Sequence, residues 1–320
     1  MTAQWPEGLT AETRQLLTNM AQMGNPPLHE MPVEAGRMLF DTLVQAIDMP
    51  QVDMAGVADL TIPGPGGDVP VRVYTPHTGQ AGARPAVAYF HGGGFVIGNI
   101  GTHDRTCRYL ADKAGAVVAS VDYRLAPEHP FPAGLDDCNA ATAWFAGAAA
   151  DYGADAGALF VAGDSAGGNL AAVVALDARA SGPALAGQVL LYPTTTAAEE
   201  TASLKQLGGM GLFLEKQGMD WFQRHYLGAD GDRADPRVSP LGAGDLAGLP
   251  PAYVMTAEFD PLRDEGRAYA DKLEAAGVPV TYRQWDGLVH GFLGMGAMIP
   301  QARHAIDETA DWIGQVAKAS

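Results

Sequence analysis

From Val57 onward the chain alternates short β-branched, apolar runs with Ala-rich stretches of helical period. Such a chain buries its apolar surface most simply as a mostly parallel sheet with helices on its faces, an α/β fold. The runs predict strands at Val57–Ile62, Val69–Tyr74, Ala86–Phe90, Ala116–Asp122, Leu159–Gly163, Gln188–Tyr192, Ala252–Thr256 and Val280–Trp285. The central runs are continuously apolar, as strands buried on both faces must be. Helices are expected at Arg105–Lys113, Pro132–Ala149, Ala166–Arg179, Arg263–Ala275 and Gln301–Val316.

Two segments break this rhythm, residues 1–50 and 194–234, and divide the core into 51–193 and 235–320. In the first, Pro32 suits the opening turn of a helix, after which Gly36, Leu39, Phe40, Leu43, Val44 and Ile47 recur at helical spacing. In the second, Met219, Phe222 and Tyr226 form a similar stripe after the Gly-rich stretch Leu207–Gly211. Each stripe needs a partner surface, and the two are expected to pack together as a helical cap over the sheet edge.

The sharpest chemical signal is Gly163-Asp164-Ser165-Ala166-Gly167-Gly168, between the apolar run Leu159–Ala162 and a helical Ala/Leu/Val stretch. Strand, tight Gly-flanked turn and helix are the context in which G-x-S-x-G becomes a nucleophile elbow. Glycines two residues before and after the serine let strand and helix approach closely, and the hydroxyl projects beside the helix N-terminus. A serine hydroxyl needs a base to take its proton. His290, just past the last predicted strand, supplies one in the expected chain order of serine, acid and histidine.

The acid that orients the imidazole should lie between them. Glu258, Asp260 and Asp264 all follow the strand Ala252–Thr256. Asp260 is preferred because Pro261 keeps residue 260 out of helical geometry. Glu258 stays in reserve, while Asp264 and Glu265 read as carboxylates in a first helical turn. The remaining machinery is His91-Gly92-Gly93-Gly94-Phe95, directly after a strand. Its glycines let backbone N–H groups converge on a developing oxyanion, together with the N–H of Ala166. A phosphate loop is the alternative, but G-x-x-x-x-G-K-[ST] is absent and no lysine lies nearby.

In order, His91–Phe95, Asp122–Glu128 (DYRLAPE), Gly163–Gly168, Asp235–Pro240, Asp260–Gly266 and His290–Phe292 resemble the motifs of the bacterial hormone-sensitive lipase-like esterases, over nearly the whole chain. The resemblance implies an α/β-hydrolase fold with an eight-stranded, mostly parallel sheet and a helical cap built from the N-terminal segment and a later insertion. It implies hydrolysis of short- to medium-chain acyl esters without metal or cofactor. Ser165, Asp260 and His290 would be the triad, and the amides of Gly93, Gly94 and Ala166 the hole, with Gly92 shaping its loop. Asp122 and Glu128 are read as bracing neighbouring loops. Members of the family often pair through an edge strand, so a homodimer is expected. The same nucleophile and hole would also serve lactones, carbamates or amides. A non-catalytic receptor is the third reading, and His290 argues against it, because a chain that had lost catalysis has no chemical reason to keep its base.

A formal net charge of -17 and a pI near 4.7 repel phosphate backbones and anionic membrane faces, so neither nucleic acid nor membrane is an expected partner. The first residues lack a basic start followed by an apolar run, and no stretch approaches bilayer length, which makes the cytoplasm the expected compartment. Cys107 and Cys138 have no metal-site spacing and read as buried thiols.

Overall fold

The computed structural model describes residues 5–79 and 84–319. All eight expected strands form: β1 (Gly56–Gly64), β2 (Gly67–Thr75), β3 (Arg84–Phe90), β4 (Val117–Val121), β5 (Ala154–Asp164), β6 (Gly187–Leu191), β7 (Ala252–Phe259) and β8 (Val280–Val289). They make one sheet in the order β1-β2-β4-β3-β5-β6-β7-β8. The β1–β2 and β2–β4 pairs are antiparallel and the rest parallel. Helices α1 (Ala11–Met23), α2 (Val33–Ile47), α3 (Ile100–Ala114), α4 (Ala133–Ala148), α5 (Ala166–Ser181), α6 (Ala202–Leu207), α7 (Lys216–Leu227), α8 (Arg263–Ala275) and α9 (Gln301–Ala317) complete the chain.

Why the central runs are continuously apolar is visible in their two faces. On β3, Val87 and Tyr89 point into one core with Leu110 of α3 and Ile306 of α9. Ala86, Ala88 and Phe90 point into the other, with Leu135 of α4, Val173 of α5 and Tyr269 of α8. β5 divides likewise, Phe160 and Ala162 against Leu159 and Val161. Period-two alternation therefore persists in direction while both directions are buried. Cys107 and Cys138 are buried and free.

Residues 5–50 hold more order than their single stripe suggests. Helix α1 opens on Thr10, whose side chain accepts from the Thr13 amide, and buries Leu16 and Leu17 in the first core. The two stripes outside the sheet rhythm do meet, though not as a simple pair. Phe40 of α2 shares a cluster with Trp221, Phe222 and Tyr226 of α7, and the loop residues Phe95, Val96 and Ile97 are packed among them. Met219 turns away toward Leu204 and Leu262. Tyr226 stacks on Phe95 with ring centroids 3.8 Å apart. A stripe identifies an apolar face but not its partner, and here the loop after β3 supplies part of it.

The closest packing in the sheet is backbone on backbone. A Cβ at Gly167 would overlap the Phe90 carbonyl and lie 2.7 Å from the His91 oxygen, and one at Gly163 would overlap Gly167. The neighbours are main-chain atoms that cannot swing aside, so Gly167→Ala should cost at least ~2 kcal/mol. Gly147, near the end of α4, has nothing within 4 Å of such a carbon. Gly147→Ala should therefore stabilise the fold by about 0.5–1 kcal/mol through helix propensity. Opposite shifts in thermal unfolding of the two variants check this account.

Candidate active site

Three loops at the carboxyl ends of the strands bring the expected residues together. β5 ends at Asp164, and Ser165 caps α5 with φ 55° and ψ −117°. A non-glycine residue at that φ is strained and persists only where its surroundings fix it. Here the Ser165 N–H donates to the Leu191 carbonyl (2.8 Å), and the Ser165 carbonyl accepts from Asn169 (3.1 Å) and Thr194 (3.3 Å). The Ser165 Oγ lies 2.8 Å from His290 Nε2. His290 Nδ1 lies 2.7 Å from Asp260 Oδ2, while Asp260 Oδ1 accepts the Leu262 amide at 2.8 Å. Asp260 is fully buried, and a carboxylate can only accept, so a proton on His290 Nδ1 would satisfy this contact and leave Nε2 facing the serine. The Tyr192 ring packs edge-on against His290, centroids 5.0 Å apart.

The reserve acid Glu258 and the first-turn carboxylate Asp264 are occupied elsewhere. Glu258 Oε2 accepts the Gly287 amide (2.7 Å), and Asp264 Oδ2 accepts the Ser203 amide (2.7 Å). In the loop after β3, Gly93, Gly94 and Phe95 have φ of 120°, 59° and 65°. The Gly92 amide is taken by Asp164 Oδ1 at 3.0 Å. The amides of Gly93, Gly94 and Ala166 donate to no group among the described residues. A cavity of about 410 Å³ opens onto Ser165, these glycines and His290. Its walls are mainly apolar, with Leu39, Leu43 and Val44 from α2, Met219 and Phe222 from α7, and Met298. That is the size and lining of a small-molecule site.

The family model described as "alpha/beta hydrolase fold" matches residues 87–294. The chain belongs to the α/β-hydrolase-fold family. The carboxylic ester hydrolase LipN of Mycobacterium tuberculosis (strain ATCC 25618 / H37Rv) is 46% identical to this hydrolase over 270 residues, 82% of this chain and 71% of LipN. The ethyl acetate hydrolase of Pseudomonas putida is 39% identical over 280 residues, 86% of this chain and 88% of that protein. A solved ester-hydrolase from the metagenome of Lake Arreo, complexed with a derivative of bipyridine phosphonate, superimposes with a TM-score of 0.92 at 46% identity. It covers 96% of this chain and 98% of its own. The motif resemblance to the hormone-sensitive lipase-like esterases therefore stands.

Beneath the site of this hydrolase lies a buried polar layer that the motifs do not announce. Asp164 Oδ1 accepts the Tyr89 hydroxyl at 2.8 Å and the Gly92 amide, with His103 Nε2 3.3 Å away. The Thr102 hydroxyl donates to the Asn99 carbonyl, so its oxygen is free to accept from His103 Nδ1 at 2.8 Å. Burial alone would lower the His103 pKa, but Asp164 and Asp48 outweigh it and hold the imidazole above its ordinary value. His91, by contrast, is driven down to about 3 by burial and is neutral. Its Nδ1 donates to the Gly92 carbonyl (2.8 Å) and its ring stacks on Tyr123. Asn169 donates from Nδ2 to the Thr194 and Val238 carbonyls, both at 2.9 Å, and ties α5 to the chain that returns past the site.

Glu265 departs from its expected role as an ordinary first-turn carboxylate. It is buried, and its Oε1 accepts from Thr194 Oγ1 (2.9 Å) and the amides of Thr195 (2.7 Å) and Thr196 (3.3 Å). Burial pushes its pKa up to about 8 despite these donors. A raised folded-state pKa means stability that is fully present below the ordinary carboxylate value and lost as pH rises through about 8. Wild-type melting temperature should therefore fall between about pH 5 and about pH 9. Glu265→Gln, which keeps an acceptor oxygen but does not titrate, should flatten that fall when both proteins are melted across the range.

Proposed function

We propose that this chain is a serine carboxylesterase acting on short- to medium-chain acyl esters through an acyl-enzyme on Ser165. The observation that carries the reading is the hydrogen-bonded chain from Asp260 to His290 to Ser165 at 2.7 and 2.8 Å, opening beside three uncommitted amides. Its relatives are named as ester hydrolases, one of them for ethyl acetate.

In the first step Ser165 Oγ attacks the ester carbonyl while His290 Nε2 takes its proton, and the carbonyl π electrons move onto oxygen. The amides of Gly93, Gly94 and Ala166 receive that oxyanion, helped by the N-terminus of α5. Asp260 holds the imidazole tautomer and stabilises the imidazolium. The C–O bond to the alcohol then breaks as His290 returns the proton to the departing oxygen. Water repeats the sequence on the acyl-enzyme, releasing acid and regenerating Ser165. The cavity of about 410 Å³ accommodates modest acyl and alcohol groups, and α1, α2 and α7 act as its cap, excluding water and strengthening every charge interaction within.

Ser165→Ala should fold normally and lose ester turnover by about 10⁶-fold. An organophosphate should label Ser165 stoichiometrically, as read by peptide mass spectrometry, and a label on another serine refutes the reading. Asp260→Asn should lower kcat by about 10⁴-fold, far more than Glu258→Gln or Asp264→Asn. Deleting the first forty or so residues should weaken selectivity among acyl lengths and promote aggregation, because the cavity loses one wall and apolar faces lose their cover. An unchanged acyl-length profile with a lowered melting temperature would remove that segment from the cap.

A further inference from the structure

The side chain of Arg37, on α2, reaches out of the cap and into the loop that carries Gly93 and Gly94. Its Nε donates to the Val96 carbonyl at 2.9 Å and its Nη2 to the Ala126 carbonyl at 3.1 Å. Nη1 and Nη2 also hold the two oxygens of Glu128 at 2.9 and 2.8 Å, and Nη1 reaches Glu34 at 3.2 Å. All five guanidinium N–H directions are thus committed, to partners 59, 89 and 91 residues away as well as to its own helix. Glu128, closest of these in charge, raises the Arg37 pKa further, so the fork stays charged.

The segment it grips is a strained one. Gly93, Gly94 and Phe95 all have positive φ, a conformation that strains a residue as large as Phe95. Such a conformation survives only if bonds around it specify it. The turn is closed internally by the Val96 and Ile97 amides donating to the Gly93 carbonyl, at 3.1 and 3.0 Å. Its leading end is held by the Gly92 amide on Asp164, and the Ala126 amide donates to the Phe95 carbonyl. Arg37 supplies the bond to Val96, the residue whose amide closes the turn. One helical turn later, Asp41 accepts from Asn99 Nδ2 at 3.0 Å, at the far end of the same loop. Helix α2 therefore has two working faces. Leu39, Leu43 and Val44 line the cavity, while Arg37 and Asp41 clamp the loop from Val96 to Asn99.

We propose that Arg37, braced by Glu128, is a positioning residue for the oxyanion hole: by fixing the Val96 carbonyl it keeps the Gly93 and Gly94 amides aimed at the reacting oxygen, so that seating of α2 and readiness of the hole are one event. The inference rests on the reading of those amides as the hole. It follows that the interaction matters more in the transition state than in the ground state, because the oxyanion forms only there.

The test uses the full-length protein with a short-chain p-nitrophenyl ester, and expresses kcat per site titrated by an organophosphate. Arg37→Met should lower kcat by about ten- to a hundredfold, short of the loss of a hole donor outright, with KM changed less than about threefold. Its affinity for a trifluoromethyl ketone, whose hemiketal oxygen occupies the hole, should weaken in proportion to kcat/KM. Arg37→Lys should recover only a small part, since an ammonium keeps the charge but not the planar fork. Glu128→Gln, which leaves the guanidinium in place but less tightly held, should show the same pattern at several-fold and covers the case of a poorly folding Arg37 variant. A lowered melting temperature with unchanged kcat per titrated site in Arg37→Met, or in Glu128→Gln if that variant alone folds, overturns the proposal and leaves the esterase reading intact. Wild-type protein without ester turnover or label on Ser165 overturns both.

Discussion

The backbone of α5 lies against the carbonyl end of β3, with no side chain at Gly163 or Gly167 to hold them apart. Everything at the site is built outward from that approach. It forces the chain to reverse between β5 and α5 through Ser165 alone, at a positive φ, and so presents the hydroxyl at the sheet edge. It also sets the start of α5 at Ala166 beside the loop that leaves β3, and the amides of Gly93, Gly94 and Ala166 donate to no group among the described residues. A methyl group at either glycine would push α5 away from β3 and, with it, Ser165 from the loop after β3.

The charges beneath this arrangement are few and mutually committed. Asp164, next to Ser165 in sequence, collects Tyr89, the Gly92 amide and His103. A buried carboxylate without such partners would be costly, and with them it becomes an anchor for the loop. Asp260 is held in the same fashion by His290 and the Leu262 amide. Two aspartates thus flank Ser165, one holding the Gly92 end of the loop after β3 and one holding His290.

Strands were legible because burial on both faces leaves unbroken apolar runs, and the meeting of Ser165, His290 and Asp260 was legible because each sits in a short segment whose neighbours are dictated by backbone geometry. Glu265 was not, since a carboxylate in a first helical turn faces solvent or core according to what packs on it, here Thr194 to Thr196. His103 and Arg37 carry no local signature either: beyond Thr102 and Glu34, their partners lie tens of residues away and appear only when the loops are assembled. The stripe Met219, Phe222, Tyr226 marked a buried helix face correctly, yet it divides between two clusters and omits Trp221, which is buried beside Phe222 and Tyr226. Periodicity measures direction around a helix axis, and the neighbour waiting there is a tertiary fact.

Phe40 and Phe222 share one apolar cluster although they are far apart in the chain. During translation the α2 stripe leaves the ribosome ~180 residues before its counterpart, a delay of roughly ten to forty seconds at ordinary elongation rates. Phe95, Val96 and Ile97 of the loop after β3 follow ~55 residues behind Phe40, so part of its surface arrives early while the α7 part is still to come. The α2 stripe is therefore covered in two instalments, first by the loop after β3 and last by α7, and in between its apolar face is incompletely buried in the nascent chain.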